Sequence, residues 1–349
     1  MPIRVWRDLM SIQSEFIDFH NRIKLDYDVR AELAEKRDIL LGILRNSEQL
    51  PGFDEYNQGS YGMHLGVEPT DGREYDIDVG LRFNADKDDY DPMDIKNIIA
   101  DILKKHTEYG STIKKPCVTV TYKKDGEAAY HVDIVTYLYE DHTDKNSQLY
   151  LARGKDSTPE EICWEKSDPV GLVDYINNKV PIGDERDQFR RIIRYIKRWK
   201  NRRFNSAGHA EPASIGITLI VADNFEANSG NDLGALLSAA KNIQKLFQPE
   251  KYEGGRWLYR IKYPMPYSLD FEYDTDAFGK MTDIQMTDFK DKLDKFVRDL
   301  EVVQNEPDEV EQCKKLQKIF GEDFHVPEVK NVSKAQHNYI PPSSASGVI

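Results

Sequence analysis

Cysteine is scarce in this chain, with three in 349 residues. Cys117, Cys163 and Cys313 are odd in number and scattered, with no Cys-x-x-Cys and no Cys/His cluster. That pattern argues against a disulfide framework or a structural zinc site and fits a reducing cytoplasm. Long apolar runs are missing too. The longest, near Ile215 to Ala222, is interrupted by Gly216 and Thr218, and a bilayer span needs roughly 20 residues. The opening Met-Pro-Ile-Arg-Val-Trp-Arg-Asp carries charge where a signal peptide has an apolar core. A soluble, cytoplasmic protein with no membrane partner is expected. Positive charge is in deficit, 48 Lys+Arg against 61 Asp+Glu for a net charge of -13, whereas a DNA or RNA platform needs the opposite balance. Internal repeats are absent.

What is present is enough apolar material for real cores, 39% hydrophobic and 11% aromatic residues, over a length that suggests two domains or one bilobed domain. From Trp6 to Leu25, apolar residues recur every three or four positions and predict a long amphipathic helix. A second helix is expected from Val29 to Arg45, ending before the Pro51-Gly52 turn signal. A polar loop, Tyr56 to Tyr61, then leads to a strand from Tyr75 to Phe83. There Tyr75, Ile77, Val79 and Leu81 face one way and Asp76 and Asp78 the other. A helix from Asp91 to Tyr109 and two strands, Cys117 to Tyr122 and Ala128 to Tyr139, complete an α+β unit, the strands joined through an Asp125-Gly126 hairpin signal. Beyond Pro159 helices dominate: Pro169 to Asn178, Asp184 to Phe204, Ala213 to Asn224, Asp232 to Phe247, Thr282 to Gln304 and Asp308 to Phe320. The expected division is a sheet domain with the first long helix over 1–158, a helical domain over 159–330 and a flexible, Pro- and Ser-containing tail over 331–349.

One constellation carries chemistry. Asp76 and Asp78 project from one face of one strand, and Asp133 sits mid-strand within His131-Val-Asp-Ile-Val135. If the two strands are neighbours, three carboxylates converge, and they repel unless protonated or bridged by a cation. Hard divalent ions such as Mg²⁺ take oxygen ligands of this kind, and two of them suit phosphoryl transfer. Upstream, Gln58-Gly59-Ser60 makes a turn whose backbone a phosphate can approach closely. The helix from Asp184 to Phe204 concentrates nine Arg and Lys residues. One or two phosphate contacts are expected from it, the rest being a solvated face with ion pairs.

The Gln-Gly-Ser turn, the Asp-x-Asp strand and the third strand aspartate resemble the DNA polymerase β-like nucleotidyltransferases. With the His-Val-Asp-Ile-Val strand and the Arg190-Arg-Ile-Ile-Arg-Tyr-Ile-Lys-Arg-Trp-Lys200 helix, the chain looks like the bacterial CD-NTases, relatives of cyclic GMP-AMP synthase and oligoadenylate synthase. The resemblance spans nearly all of it, to about Phe320. It implies a polymerase β-like α+β fold, a mixed-sheet core and a helical second domain around a central cleft. It implies that Asp76, Asp78 and Asp133 bind two Mg²⁺ or Mn²⁺ ions, that Asp133 helps deprotonate the attacking ribose hydroxyl, and that Gln58, Gly59 and Ser60 hold the donor triphosphate. Ser214 and either Lys197 or Lys200 would reach the same phosphates. The implied reaction turns ATP and other NTPs into a cyclic di- or trinucleotide messenger containing adenine, in anti-phage (CBASS) signalling. The messenger would act on a separate effector, and a regulatory protein partner is a further expectation. The alternatives are a linear oligoadenylate or RNA-end nucleotidyltransferase and a catalytically silent nucleotide-binding module. Two departures stand out: Met63-His-Leu-Gly66 follows the turn where many relatives have small residues, and the zinc-binding insertion of the animal DNA sensor is missing.

Overall fold

A computed structural model describes residues 12–70, 74–124, 127–205, 210–263 and 276–327. The tail over 331–349 and the start of the first predicted helix lie outside the described residues. Helix α1 (Ile12–Ile23) is followed by α2 (Tyr27–Arg45), strand β1 (Phe53–Asn57), a single turn of helix, α3 (Gly59–Gly62), strand β2 (Tyr75–Asp86) and helix α4 (Pro92–Leu103). Strands β3 (Ser111–Ile113), β4 (Val118–Lys124), β5 (Glu127–Tyr139), β6 (Leu149–Arg153) and β7 (Cys163–Ser167) come next.

These seven strands form one mixed sheet ordered β1-β2-β5-β4-β3, with β6 paired to β5 and β7 to β6. The pairing of β2 with β5 is parallel and the others are antiparallel. An open mixed sheet backed by helices is the expected α+β class. The alternation in β2 does what its period dictates. Ile77, Val79, Leu81 and Phe83 are buried beneath α2 and α4, which contribute Leu33, Leu40, Leu41, Leu44, Ile95, Ile99 and Leu103 to the same core.

Helices α5 (Pro169–Asn178), α6 (Asp184–Arg203), α7 (Ser214–Asn224), α8 (Asp232–Gln244), α9 (Asp283–Gln304) and α10 (Glu309–Phe320) build a second core. The expected helices beyond residue 168 are found within a few residues of their predicted ends. Helix α1 packs with this second core: Phe16 and Phe19 meet Tyr195, Phe320 and Phe324 at ring-centroid distances of 4.7 to 5.3 Å. Asp232 holds the junction of α1, α6 and α8. It is fully buried and accepts from Arg191 at 2.6 and 2.9 Å, from Gln188 at 3.0 Å and from the Tyr195 hydroxyl at 3.0 Å.

The expectation that strands end near Pro159 is corrected by β7 and by a hairpin of β8 (Gln248–Glu253) and β9 (Arg256–Arg260). Every residue of β8 is exposed, so no buried face imposes the alternation by which a strand is recognised. The polar loop expected at Tyr56 is the end of β1, an edge strand with two acidic residues and only partial burial.

Candidate functional site

The parallel register sets Asp78 opposite Asp133 and Asp76 opposite His131. Neighbouring strands run about 4.8 Å apart, so the three carboxylates share one sheet face, as the conditional sequence argument required. Asp76 and Asp78 line a cleft of about 690 Å³ between the sheet and the helical core, together with Gly59, Ser60, His131, Lys197, Asn201 and Ser214. Asp133 stands just behind the lining, its Oδ1 accepting from the Thr119 hydroxyl at 2.5 Å and facing the Lys114 ammonium at 3.6 Å.

Enclosure by protein raises the carboxyl pKa of Asp78 to about 7, with repulsion from Asp76 and Asp133 adding to it. Burial and Asp133 raise Asp76 as well, opposed by Lys197, His131 and Lys114. Asp76 is exposed toward the cleft, where solvent screens part of this effect. Carboxylates held this close call for a counter-charge. Oxygen donors on two adjacent strands, open on one side to a cleft, fit hard divalent cations.

Gly59 abuts this cluster. Its φ of 59° is left-handed, and a Cβ there would lie 1.9 Å from Asp78 Oδ2, so the turn can approach the carboxylate only as glycine. Gln58 takes a different place from Gly59 and Ser60. Its side chain accepts from the buried Tyr137 hydroxyl at 3.2 Å, it does not line the cleft, and its backbone N–H binds Asp78 O at 3.2 Å. The departure after the turn is also explained. Met63 and Leu65 are buried in the helical core, and between them His64 takes a φ of 57°. Arg194 binds the carbonyls of His64 and Gly66, while His20 Nε2 lies 3.0 Å from its guanidinium. Burial, with Arg194 adding to it, lowers His20 to about 4, so His20 serves as an acceptor there.

The two lysines left open in the sequence occupy different places. Lys197 lines the cleft, and its Nζ lies 3.5 Å from Leu65 O. Burial brings its pKa to about 7, with Lys200 and Arg194 contributing and Asp76 opposing. Lys200 is buried against Ser214 Oγ at 3.0 Å and Glu211 at 3.5 Å, outside the lining. The rest of the basic helix is largely structural: Arg191 binds Asp232, Arg194 the loop, Arg198 faces Asp323, and Arg202 and Arg203 reach the carbonyls of Phe320, Lys318 and Ile319. Asn201 and the loop-holding role of Arg194 were not anticipated. The spacing Arg194, Lys197, Asn201 places all three on one helix face, and that signal was available. A second carboxylate and imidazole group, Asp86, Asp141 and His142, lies at the far end of β2, eight residues beyond Asp78. There His142 donates to Asp86 from its backbone at 2.6 Å and its ring lies 2.9 Å from the same oxygen, so the group closes on itself.

Residues 54–137 match the family of the cyclic GMP-AMP synthase DncV-like nucleotidyltransferase domain. In that domain the chain resembles the bacterial CD-NTases. A curated cyclic GMP-AMP synthase from Escherichia albertii is 26% identical over 225 residues, covering 61% of this chain. The chain spans about half the length of that relative, 47%. The fold is that of CdnG, a Bradyrhizobium diazoefficiens CD-NTase solved with GTP, at a TM-score of 0.63, 14% identity and coverage of 89% of this chain and 95% of that one. It is equally that of CdnC from Escherichia coli MS115-1, solved with ATP, at a TM-score of 0.64, 17% identity and coverage of 90% and 98%. CdnC is also known in a complex with HORMA-deltaN.

Proposed function

We propose that this chain is a CD-NTase, a metal-dependent nucleotidyltransferase that joins ATP and other NTPs into a cyclic oligonucleotide, releasing pyrophosphate with each bond. The observation that carries this reading is the register of Asp78 with Asp133 on adjacent parallel strands, beside the Gly59-Ser60 turn and facing Lys197 across one cleft. Asp76, Asp78 and Asp133 would hold two divalent cations. When bound, such ions neutralise the triphosphate and acidify the attacking hydroxyl. The ribose oxygen of the acceptor forms a bond to the α-phosphorus of the donor, and the bond from that phosphorus to the bridging oxygen breaks. Asp133 accepts the hydroxyl proton. Ser60 and the Gly59 backbone seat the triphosphate, Lys197 meets its charge from the helical side, and Lys200 orients Ser214 through its hydroxyl. Gln58 supports the turn through Tyr137.

The product, a cyclic di- or trinucleotide containing adenine, would act on a separate effector in anti-phage (CBASS) signalling in the cytoplasm. A regulatory protein partner of the HORMA kind, as the CdnC complex carries, fits that role. No described helix is long and apolar enough to cross a membrane. Incubation with labelled NTPs and Mg²⁺ or Mn²⁺, followed by phosphatase, is expected to leave a protected product. A product that loses its 5′-terminal phosphates to phosphatase and keeps label only in internal phosphodiesters would indicate the linear alternative, and nucleotide binding without product under either metal would indicate a silent binding module.

Gly59→Ala tests the turn. With a strained φ and a Cβ overlapping Asp78, the turn has to move away from the carboxylates. A displacement of about 1 Å costs up to about 10²-fold in rate, so turnover is expected to fall ten- to a hundredfold with the circular dichroism spectrum preserved. Full activity would detach this turn from the chemistry.

A further inference from the structure

Among the described residues, a cation within ion-pair reach of the carboxylate cluster comes from neither the basic helix nor the phosphate turn. Lys114 lies in the short connection between β3 and β4, and its Nζ is 3.6 Å from Asp133 Oδ1. The backbone beneath it is fixed in an unusual way. Lys96, on α4, is fully buried, and its ammonium donates to the carbonyls of Lys114 at 2.8 Å, Lys115 at 3.0 Å and Gly154 at 2.5 Å. Within the connection, Lys114 N–H binds Cys117 O at 2.9 Å, and Gly154 N–H binds Lys115 O at 2.9 Å. Lys115 itself is turned away to Glu161 at 2.5 Å. A charge buried this deeply is retained only when its donors are satisfied, and here the satisfied donors immobilise the turn from which Lys114 springs. The Lys114 side chain, in contrast, is 46% exposed, so its tip is free to leave while its base stays put.

We propose that Lys114 is a tethered counter-cation of the carboxylate cluster, neutralising Asp133 in the metal-free protein and yielding its place when a divalent cation binds, so that it lowers the affinity of the metal site. The proposal rests on the reading of Asp76, Asp78 and Asp133 as metal ligands. Its physical basis is competition: a monovalent ammonium and a divalent ion cannot both occupy the same side of one carboxylate without repulsion. Tethering makes the ammonium a permanent competitor. An ion therefore has to displace it, and the freed lysine stays tethered beside the cluster.

The test titrates the full chain with Mn²⁺ alone and follows free Mn²⁺ by electron paramagnetic resonance. Lys114→Met is expected to bind Mn²⁺ about two- to fivefold more tightly than wild type, the range of a partly exposed ion pair, while Lys114→Arg stays near wild type. The same Lys114→Met protein is expected to melt at a lower temperature without metal and to recover that difference with saturating Mn²⁺. Unchanged or weaker Mn²⁺ affinity in Lys114→Met would overturn the proposal, since it would make the lysine a bystander or an aid to the site. Asp76→Asn with Asp78→Asn separates this from the reading beneath it. If that variant loses Mn²⁺ binding and Lys114→Met binds as wild type, only the lysine proposal fails. If it binds Mn²⁺ as wild type does, the ligand assignment fails and the proposal with it.

Discussion

Replacing Asp76 and Asp78 together by asparagine is expected to abolish nucleotidyl transfer, by at least about 10³-fold, because it removes the charge that would hold both ions while preserving side-chain volume. The same change is expected to stabilise the metal-free protein. Protein enclosure and two neighbouring acids bring Asp78 to about 7 from an ordinary value of 3.8. Between those values the folded chain keeps a proton that the unfolded chain has released. Stability therefore falls as pH rises from about 4 to about 7, and the penalty remains in full above that window. Asparagine has no proton to lose, so the slope should flatten and the metal-free melting temperature at neutral pH should rise by about 2 °C or more. Scanning calorimetry in chelator across this pH range, beside a product assay in Mg²⁺, reads both effects. Turnover within tenfold of wild type would take the two carboxylates out of the chemistry, and a lower melting temperature would contradict the repulsion described for them.

The second large effect lies in the helical core. Asp232→Ala is expected to cost roughly 3–5 kcal/mol of stability, the usual loss when one partner of a buried charge pair is removed. Desolvation works against the Asp232 carboxylate, but the hydrogen bonds of Arg191 and Gln188 outweigh it and hold its pKa below 3.8. With alanine, the Arg191 guanidinium loses both contacts in a setting where its side chain is 16% exposed, and the Tyr195 hydroxyl keeps only Phe16 O at 2.8 Å. The native pair contributes stability above pH 3.8 and loses it as pH falls through the lower folded value, so acid should narrow the gap between variant and wild type. Urea unfolding measures this directly. A loss under about 1 kcal/mol would mean that Arg191 finds another acceptor.

Much of the site was legible because strands write their geometry into sequence. Alternation placed Asp76 and Asp78 on one face and the run from His131 to Val135 marked a strand, whereas the parallel pairing that sets Asp133 beside Asp78 stayed a condition that only the register supplied. The helical half was legible through its three- and four-residue spacing, as the ends of α5, α6 and α7 illustrate. What escaped lacks a local signal. The loop after Ser60 looked like a departure because Met63 and Leu65 are buried by a helix about 130 residues away in sequence. Lys197 and Lys200 were indistinguishable by composition, and only the cleft wall separates them. Lys96 reads as an ordinary surface lysine in an amphipathic helix, since its three acceptors are backbone carbonyls that no side-chain pattern announces. The separation of two cores was visible in outline, whereas the place of α1 depended on aromatic contacts with residues near 195 and 320.

The loop from Met63 to Val67 has a mechanical consequence. The chain leaves the helical core after Ile23 and enters the sheet core at Leu25, returns to the helical core with Met63 and Leu65, and reaches the sheet again with Ile77. Leu25, Met63, Leu65 and Tyr75 all line the cleft, so three covalent crossings run along its wall. Two bodies joined in this way cannot open or twist without dragging the joining strands. The turn at Gly59 and Ser60 stands directly before the second of these crossings, so the residues beside the carboxylates and the seam between the two cores share one stretch of backbone.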